Sequence, residues 1–407
     1  MVRSIIIINS LLAQMVMGQS IEVPLDYNDP NSGSFQLEYE FGAEFNPELP
    51  TVVVIADAQQ FYVRKGRMKK IQDDLFSKRI NVLGILPRST NEELRRKVQL
   101  QSNGTVDWFL AYKVYRSFQY ANDIHSVLGK IPGDVYLYGQ SGGALLITEY
   151  LSLFPDTRVK KVFIGASVNP VIEQKLGIIH DDFQRAFLSN HPQDRKKLDA
   201  VMDEGHFDRK LLATLFQRQN FFVGPSELSS KRSELIHRLY HRDTAYVAQL
   251  QKEFQIDAIN ALFGSEDGIP IRVRLSEFIY PLMEYRESDP NRFYPDLENS
   301  YQIAEPIMEH FKDQDHGMVN EFNERTFRKF TGKLFLLAGR YDHVADYRSS
   351  IYLGSLLENA SLFIADDDHT FKSLKAEGHY SKMIQDFFFY NTEDWISTYS
   401  GFRWKEK

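Results

Sequence analysis

The chain has 407 residues, of which 43% are apolar, 25% charged and 13% aromatic, enough to bury a sizeable core in one large domain or in several. Its 48 Lys and Arg stand against 55 Asp and Glu, a net charge of −7 with no long run of either sign. That balance speaks against a nucleic-acid footprint and a polybasic membrane patch, and the absence of cysteine excludes disulfides, thiolate catalysis and Cys-ligated metal.

The first residues read differently from the rest. Met1-Val2-Arg3 gives a short positive start, and Ser4 to Gly18 is mostly Ile, Leu, Met and Val, interrupted by Asn9 and Gln14. The run is too short for a membrane span but has the form of a signal peptide, with Val16 and Gly18 where a signal peptidase takes small residues. Residues 1–18 are therefore expected to be a leader whose removal leaves Gln19, which implies a secreted or periplasmic protein. The competing reading is a buried N-terminal strand over Ile5–Ile8. No later stretch reaches the 18 apolar residues of a membrane span, so none is expected.

Short β-rich runs follow at Ser20–Pro24, Ser34–Gly42, Thr51–Ala56, Asn81–Leu86, Asp134–Tyr138, Lys161–Ala166, Lys333–Ala338 and Ser361–Ala365. Several are near-continuous apolar blocks, as in strands covered on both faces of a parallel sheet. Within Val106 to Ile131, residues such as Tyr112, Val114, Ala121, Ile124 and Leu128 recur at helical spacing, which predicts one helix ended by Gly133. Alternating strands and helices predict an α/β fold with a mostly parallel, doubly wound, eight-stranded sheet. From Val171 to Lys329 the strand rhythm stops and helical patterning dominates, as in His180–Asn190, Asp194–Met202, Arg209–Gln219 and Ser226–Tyr240. The expected organisation is a core domain of residues 19–170 and 330–407, with residues 171–329 inserted as a mostly helical cap.

Chemistry is concentrated in three places. Asp134 to Tyr138, then Gly139-Gln140-Ser141-Gly142-Gly143 and an apolar run, reads as strand, G-x-S-x-G turn and helix start. A nucleophile elbow needs small residues where strand and helix backbones nearly touch, and the helix N-terminus turns amides such as that of Gly142 toward a developing oxyanion. A serine hydroxyl needs a base, and the base needs an orienting carboxylate. Lys333 to Gly339 leads to Asp342, and Ser361 to Ala365 leads to His369, both just past buried strands, where an open α/β sheet collects its site. Ser141 is assigned as nucleophile, His369 as general base and acid, and Asp342 as orienting carboxylate, with Asp346 the reserve acid. The run Asp366-Asp367-Asp368 reads as a solvated turn, because no spacing around it completes a ligand set; neither metal nor cofactor is expected.

These residues resemble a known family. Gly139 to Gly143 followed by Thr148 to Pro155 resembles the elbow and next helix of the larger, capped prolyl aminopeptidases, serine peptidases of the α/β-hydrolase fold. Val23-Pro24-Leu25-Asp26-Tyr27 is similar to the entry of that wider peptidase group, and Leu215–Gly224 and Leu235–Leu239 resemble its cap helices. Ser276-Glu277-Phe278-Ile279-Tyr280 is similar to a cap motif in which a Glu holds the substrate's free α-amino group. The resemblance spans most of the chain and implies removal of an N-terminal residue from short peptides, proline favoured, with Glu277 as amine anchor. The alternative for Glu277 is an ion pair with Arg272, Arg274 or Arg286.

Two motifs of that group are replaced. Val54-Ile55-Ala56-Asp57-Ala58-Gln59-Gln60-Phe61 stands where its Gly-rich H-G-G-P-G-type loop completes the oxyanion hole, and Leu86-Pro87-Arg88-Ser89 stands for D-x-R-G. An oxyanion amide needs only its backbone in place, so Ala58 or Gln59 is the candidate partner of Gly142, although losing the glycines restricts φ there. Three functions compete. The first is the aminopeptidase, and the second an esterase or lactone hydrolase with the same triad. Cap aromatics Phe221, Phe222, Phe278, Tyr280 and Tyr285 suit either. The third is a binding protein with a decayed oxyanion loop. The expected partner of either hydrolase is a small peptide or ester substrate.

Overall fold

Eight strands are hydrogen-bonded side by side: β1 (Gln19–Pro24), β2 (Ser34–Phe41), β3 (Thr51–Val54), β4 (Asn81–Ile85), β5 (Val135–Gln140), β6 (Val159–Gly165), β7 (Lys333–Gly339) and β8 (Ala360–Ala365). They follow the order β1-β2-β4-β3-β5-β6-β7-β8. Only the pairs β1–β2 and β2–β4 are antiparallel. The computed structural model describes residues 19–58, 62–98, 105–178, 182–283, 293–312, 320–390 and 394–403. The expected leader, Gln59, Tyr285 and Arg286 lie outside them.

The mostly parallel, doubly wound sheet expected from the apolar runs is what forms, and the side-chain period of two shows why those runs are continuous. Val53, Leu83, Leu137 and Leu336 enter the core on one face. Their neighbours Val52, Val82, Tyr138 and Leu337 enter a second core on the other.

The helices are α1 (Met68–Leu75), α2 (Glu92–Val98), α3 (Trp108–Tyr115), α4 (Ser117–Leu128), α5 (Gly142–Leu153), α6 (Pro170–Leu176), α7 (Asp182–Asn190), α8 (Pro192–Glu204) and α9 (Arg209–Phe222). Next come α10 (Pro225–Tyr240), α11 (Thr244–Glu253), α12 (Ile256–Gly264), α13 (Gly268–Ile279), α14 (Pro295–Phe311), α15 (Glu324–Phe327), α16 (Tyr347–Ser355), α17 (Lys372–Ala376) and α18 (His379–Phe389). The single helix predicted over Val106–Ile131 is two helices, and it stops at Leu128, short of Gly133. Arg116 is extended, at φ −68° and ψ 159°, and separates α3 from α4. Apolar spacing cannot register a one-residue break. Its reason is tertiary: the break frees the Ser117 amide, which donates to Glu277 Oε1 at 2.8 Å.

Helices α6 to α15 lie between β6 and β7, in the segment read as a cap, and that segment divides in two. Phe187, Leu198, Leu212, Phe216, Leu235 and Ile236 form a core of their own. Val273 and Ile279 of α13, with Leu297 and Ile307 of α14, belong instead to the larger core under the sheet. The second half of the insertion is thus seated on the sheet domain.

The Val23–Tyr27 motif and Arg88 have a shared structural task. Arg88 and Asp123 are both buried, and the guanidinium meets the carboxylate through Nε–Oδ2 at 2.8 Å and Nη2–Oδ1 at 2.7 Å. Arg88 Nη1 also donates to the carbonyls of Leu25 at 2.8 Å and Val114 at 3.0 Å. Tyr27 Oη donates to Asp123 at 3.1 Å, and Gln119 donates to Asp26 at 2.6 Å. One buried ion pair therefore joins the first strand, α3 and α4.

Candidate active site

The turn after β5 puts Ser141 at φ 55°, ψ −118°, a backbone conformation that a residue with a Cβ rarely adopts. Glycine is required on either side by contact. A Cβ on Gly139 would lie 2.9 Å from the Gly143 backbone, and one on Gly142 would lie 2.4 Å from the Ala58 amide nitrogen. Gly142 is the first residue of α5, so its amide has no acceptor within the helix, and it packs directly against Ala58 in the loop after β3.

The loops after β7 and β8 are bound to one another. Arg340 N donates to the Ala365 carbonyl at 2.8 Å and Tyr341 N to that of Asp367 at 3.0 Å. This brings Ser141, His369 and Asp342 together. His369 Nε2 lies 3.1 Å from Ser141 Oγ, and His369 Nδ1 lies 2.9 and 2.8 Å from the two Asp342 oxygens. Asp342 Oδ1 also accepts from the amides of Val344 and Ala345, both at 2.8 Å, so the carboxylate cannot swing away. An ionised carboxylate only accepts, so neutral His369 carries its proton on Nδ1 and presents a bare Nε2 to the serine hydroxyl.

A serine elbow after β5, an acid after β7 and a histidine after β8 stand in the chain order of one architecture, on a sheet with that strand order. The chain has the α/β-hydrolase fold. No protein-family profile and no curated protein matches it. Among solved structures it is similar to an α/β hydrolase enzyme from a Medee basin deep-sea metagenome library, at 11% identity and TM-score 0.41, over 88% of this chain and 96% of that one. It is similar to an esterase from Exiguobacterium antarcticum at 12% identity and TM-score 0.41, over 90% and 98% of the two chains. A proline iminopeptidase from Mycobacterium smegmatis also stands at 12% and 0.41, over 91% and 98%. Similarity this distant fixes no activity, which has to be argued from the site.

The other candidate residues of this α/β-hydrolase fold separate clearly. Asp346, the reserve acid, caps α16 by accepting from Arg348 N at 2.8 Å and pairs with the Arg348 guanidinium at 2.7 Å. Asp367 accepts from the Leu374 amide at 2.9 Å, and Asp368 from the Thr370 amide at 2.8 Å, so both shape the turn that carries His369. Phe221 of α9 stands edge-on to the His369 ring, centroids 5.6 Å apart. Phe278 is buried in one apolar cluster with Ala58 and Val168, with Leu275 and Val344 packed against it. Phe222 and Tyr280 are 40% and 43% exposed.

Glu277 departs from the amine-anchor expectation. It is 2% exposed, ion-paired with Arg274 and bonded to the Ser117 amide, so its partners are protein groups that cap α4 and seat α13. Of the arginines near it in sequence, Arg274 is the partner. Arg272 instead lies over the Trp108 ring, 6.0 Å from its centroid. A cap motif read along the sequence cannot reveal that the break before Ser117 delivers an amide to this carboxylate.

Glu277 belongs to a charged cluster with buried Glu149 of α5 and Arg274, and with half-buried Glu321 and Arg116. Ser117 Oγ donates to Glu149 Oε1 at 3.0 Å, Arg274 Nη2 is 4.0 Å from Glu149 Oε2, and Arg116 is 3.8 Å from Glu321. Three carboxylates face two guanidiniums. Burial pushes Glu149 up to about 8, with Arg274 pulling it down and Glu277 pushing further up. The folded protein therefore keeps a proton that the unfolded chain releases near 4.5, and this group's contribution to stability falls as pH rises from about 4.5 to 8. Glu149→Gln is expected to flatten that part of the decline. Urea-unfolding free energies at pH 5 and 8 check this, and an equal decline in variant and wild type would mean that Glu149 is ionised in the fold.

Proposed function

We propose that the chain is a serine hydrolase acting on small carboxylic esters with an apolar acyl group. The observation that carries the reading is the unbroken hydrogen-bond chain from Ser141 Oγ through His369 to Asp342, mounted on a strained elbow. In the mechanism, Ser141 Oγ attacks the ester carbonyl carbon while His369 Nε2 takes the hydroxyl proton. Asp342 stabilises the imidazolium by its hydrogen bond to Nδ1. The amides of Gly142 and Ala58 receive the negative oxygen. As the tetrahedral intermediate collapses, His369 returns the proton to the departing alkoxide, leaving an acyl-serine. Water, deprotonated by the same Nε2, then releases the acid and restores Ser141.

The choice of ester over peptide follows from the surroundings. Ala58, whose amide is proposed for the oxyanion, belongs to one apolar cluster with Val168 and Phe278, against which Leu275 packs, and Phe221 stands edge-on to the His369 ring. Glu277, the carboxylate on which an aminopeptidase reading depends, is already satisfied by Arg274 and Ser117. A panel of short-chain acyl esters and aminoacyl amides, prolyl amide included, separates the two. Turnover of esters with little or none of the amides is expected, and turnover confined to amides with a free amine would overturn the ester reading. We propose further that residues 1–18 direct export, leaving Gln19 first.

A further inference from the structure

Beneath the elbow, four side chains run in file from the loop after β3 to the histidine loop. Tyr62 Oη lies 3.4 Å from Tyr138 Oη, and Tyr138 Oη lies 2.8 Å from Tyr380 Oη. Tyr380 donates to Gln140 Oε1 at 2.9 Å, and Gln140 Nε2 donates to the main-chain carbonyl of His369 at 3.1 Å. Tyr138 and Tyr380 are buried. Burial raises the pKa of all three phenols well above the usual tyrosine value, so each keeps its proton.

The file has a direction. The His369 carbonyl only accepts, so Gln140 must turn its NH2 to it and its oxygen to Tyr380. Each phenol has one proton to give. Tyr380 uses its own on Gln140 and so accepts from Tyr138, which in turn accepts from Tyr62. Aligned in this way the bonds polarise one another in a low-dielectric interior, with the 3.4 Å contact as the weak end.

We infer that Gln140 and Tyr380 are positioning residues, which hold the main chain of His369 against Ser141 and, through Tyr138 and Tyr62, against the loop that carries Ala58. The inference rests on the roles proposed above for Ser141 and His369. Asp342 fixes the imidazole only through Nδ1, and a ring held at one edge follows its backbone. Gln140 immediately precedes Ser141, so its bond to His369 O links the backbones of nucleophile and base with no intervening element. At the far end, Tyr62 N donates to Asp57 Oδ1 at 2.9 Å, one residue before Ala58. The histidine loop needs holding, since Phe371, two residues beyond His369, sits at φ 55° and stacks on Tyr380, centroids 5.4 Å apart.

Gln140→Leu and Tyr380→Phe test this. Misplacement of a reacting group by about 1 Å costs on the order of 100-fold, so Gln140→Leu is expected to lower kcat and the rate of fluorophosphonate inactivation together by about 10–100-fold. KM should stay unchanged. Tyr380→Phe, which keeps the shape and folds if Gln140→Leu does not, should give a smaller fall in the same two rates. The far-downfield proton resonance of the His369–Asp342 hydrogen bond, assigned by its loss in His369→Ala, should move or broaden in both variants. Unchanged kcat and resonance with a lower Tm would make the file structural and overturn the inference. A wild-type protein inert to esters and to the probe would sink the proposed function instead, and the resonance would still decide the positioning role.

Discussion

Ser141→Ala and His369→Ala are each expected to lower kcat by roughly 10⁴–10⁶, with the fold intact. Ser141 Oγ is the only nucleophile bonded to His369 Nε2 among the described residues, and His369 is its only base there. Because the members act as a unit, the double variant should be scarcely slower than either single one. Asp342→Asn is expected to fall by about 10⁴, because an amide facing Nδ1 can impose the wrong tautomer. Asp346→Asn should retain nearly all turnover, since Asp346 faces the amide and side chain of Arg348. Steady-state kinetics on an ester, with circular dichroism to verify folding, check the series. Strong loss in Asp346→Asn with none in Asp342→Asn would reverse the acid assignment.

The largest expected effect on stability lies away from the site. Arg88→Met removes the cation beside Asp123, which is 2% exposed and would be left buried with Tyr27 as its remaining hydrogen-bond donor. Breaking one side of such a pair typically costs about 3–5 kcal/mol, a large part of a net stability of about 5–15 kcal/mol. The carbonyls of Leu25 and Val114 lose their donor in the same step. Arg88→Met with Asp123→Leu should recover part of the loss, because no unpaired charge then remains. Urea unfolding of the three proteins checks this. A loss below about 1 kcal/mol in Arg88→Met would mean that the pair is dispensable.

The strands and the serine, aspartate and histidine were legible because both signals are local. Strands buried on two faces need continuous apolar runs, and Thr51–Val54 and Lys333–Gly339 have them. Gly139 to Gly143 is one contiguous motif, and Asp342 and His369 each follow a recognisable strand. What the sequence withheld depends on pairs far apart in the chain. Ser117 and Glu277 are 160 residues apart, and the carboxylate explains the helix break at Arg116 only once they meet. Gln140 and Tyr380 are 240 apart, and neither belongs to a pattern that points to the other. Glu277 illustrates the same limit from the other side: its motif suggested amine binding, and only the tertiary structure shows it paired with Arg274 and the Ser117 amide.

The role proposed for Ser141 is that of a nucleophile toward acyl-type electrophiles, activated by His369. Its most direct test is the intact mass of the protein after exposure to a fluorophosphonate, followed by peptide mapping, in wild type and in His369→Ala. One adduct per chain is expected, located on Ser141, with its formation slowed at least about 100-fold when the base is removed. No adduct on folded wild-type protein, or an adduct on another residue that forms equally fast without His369, would contradict it.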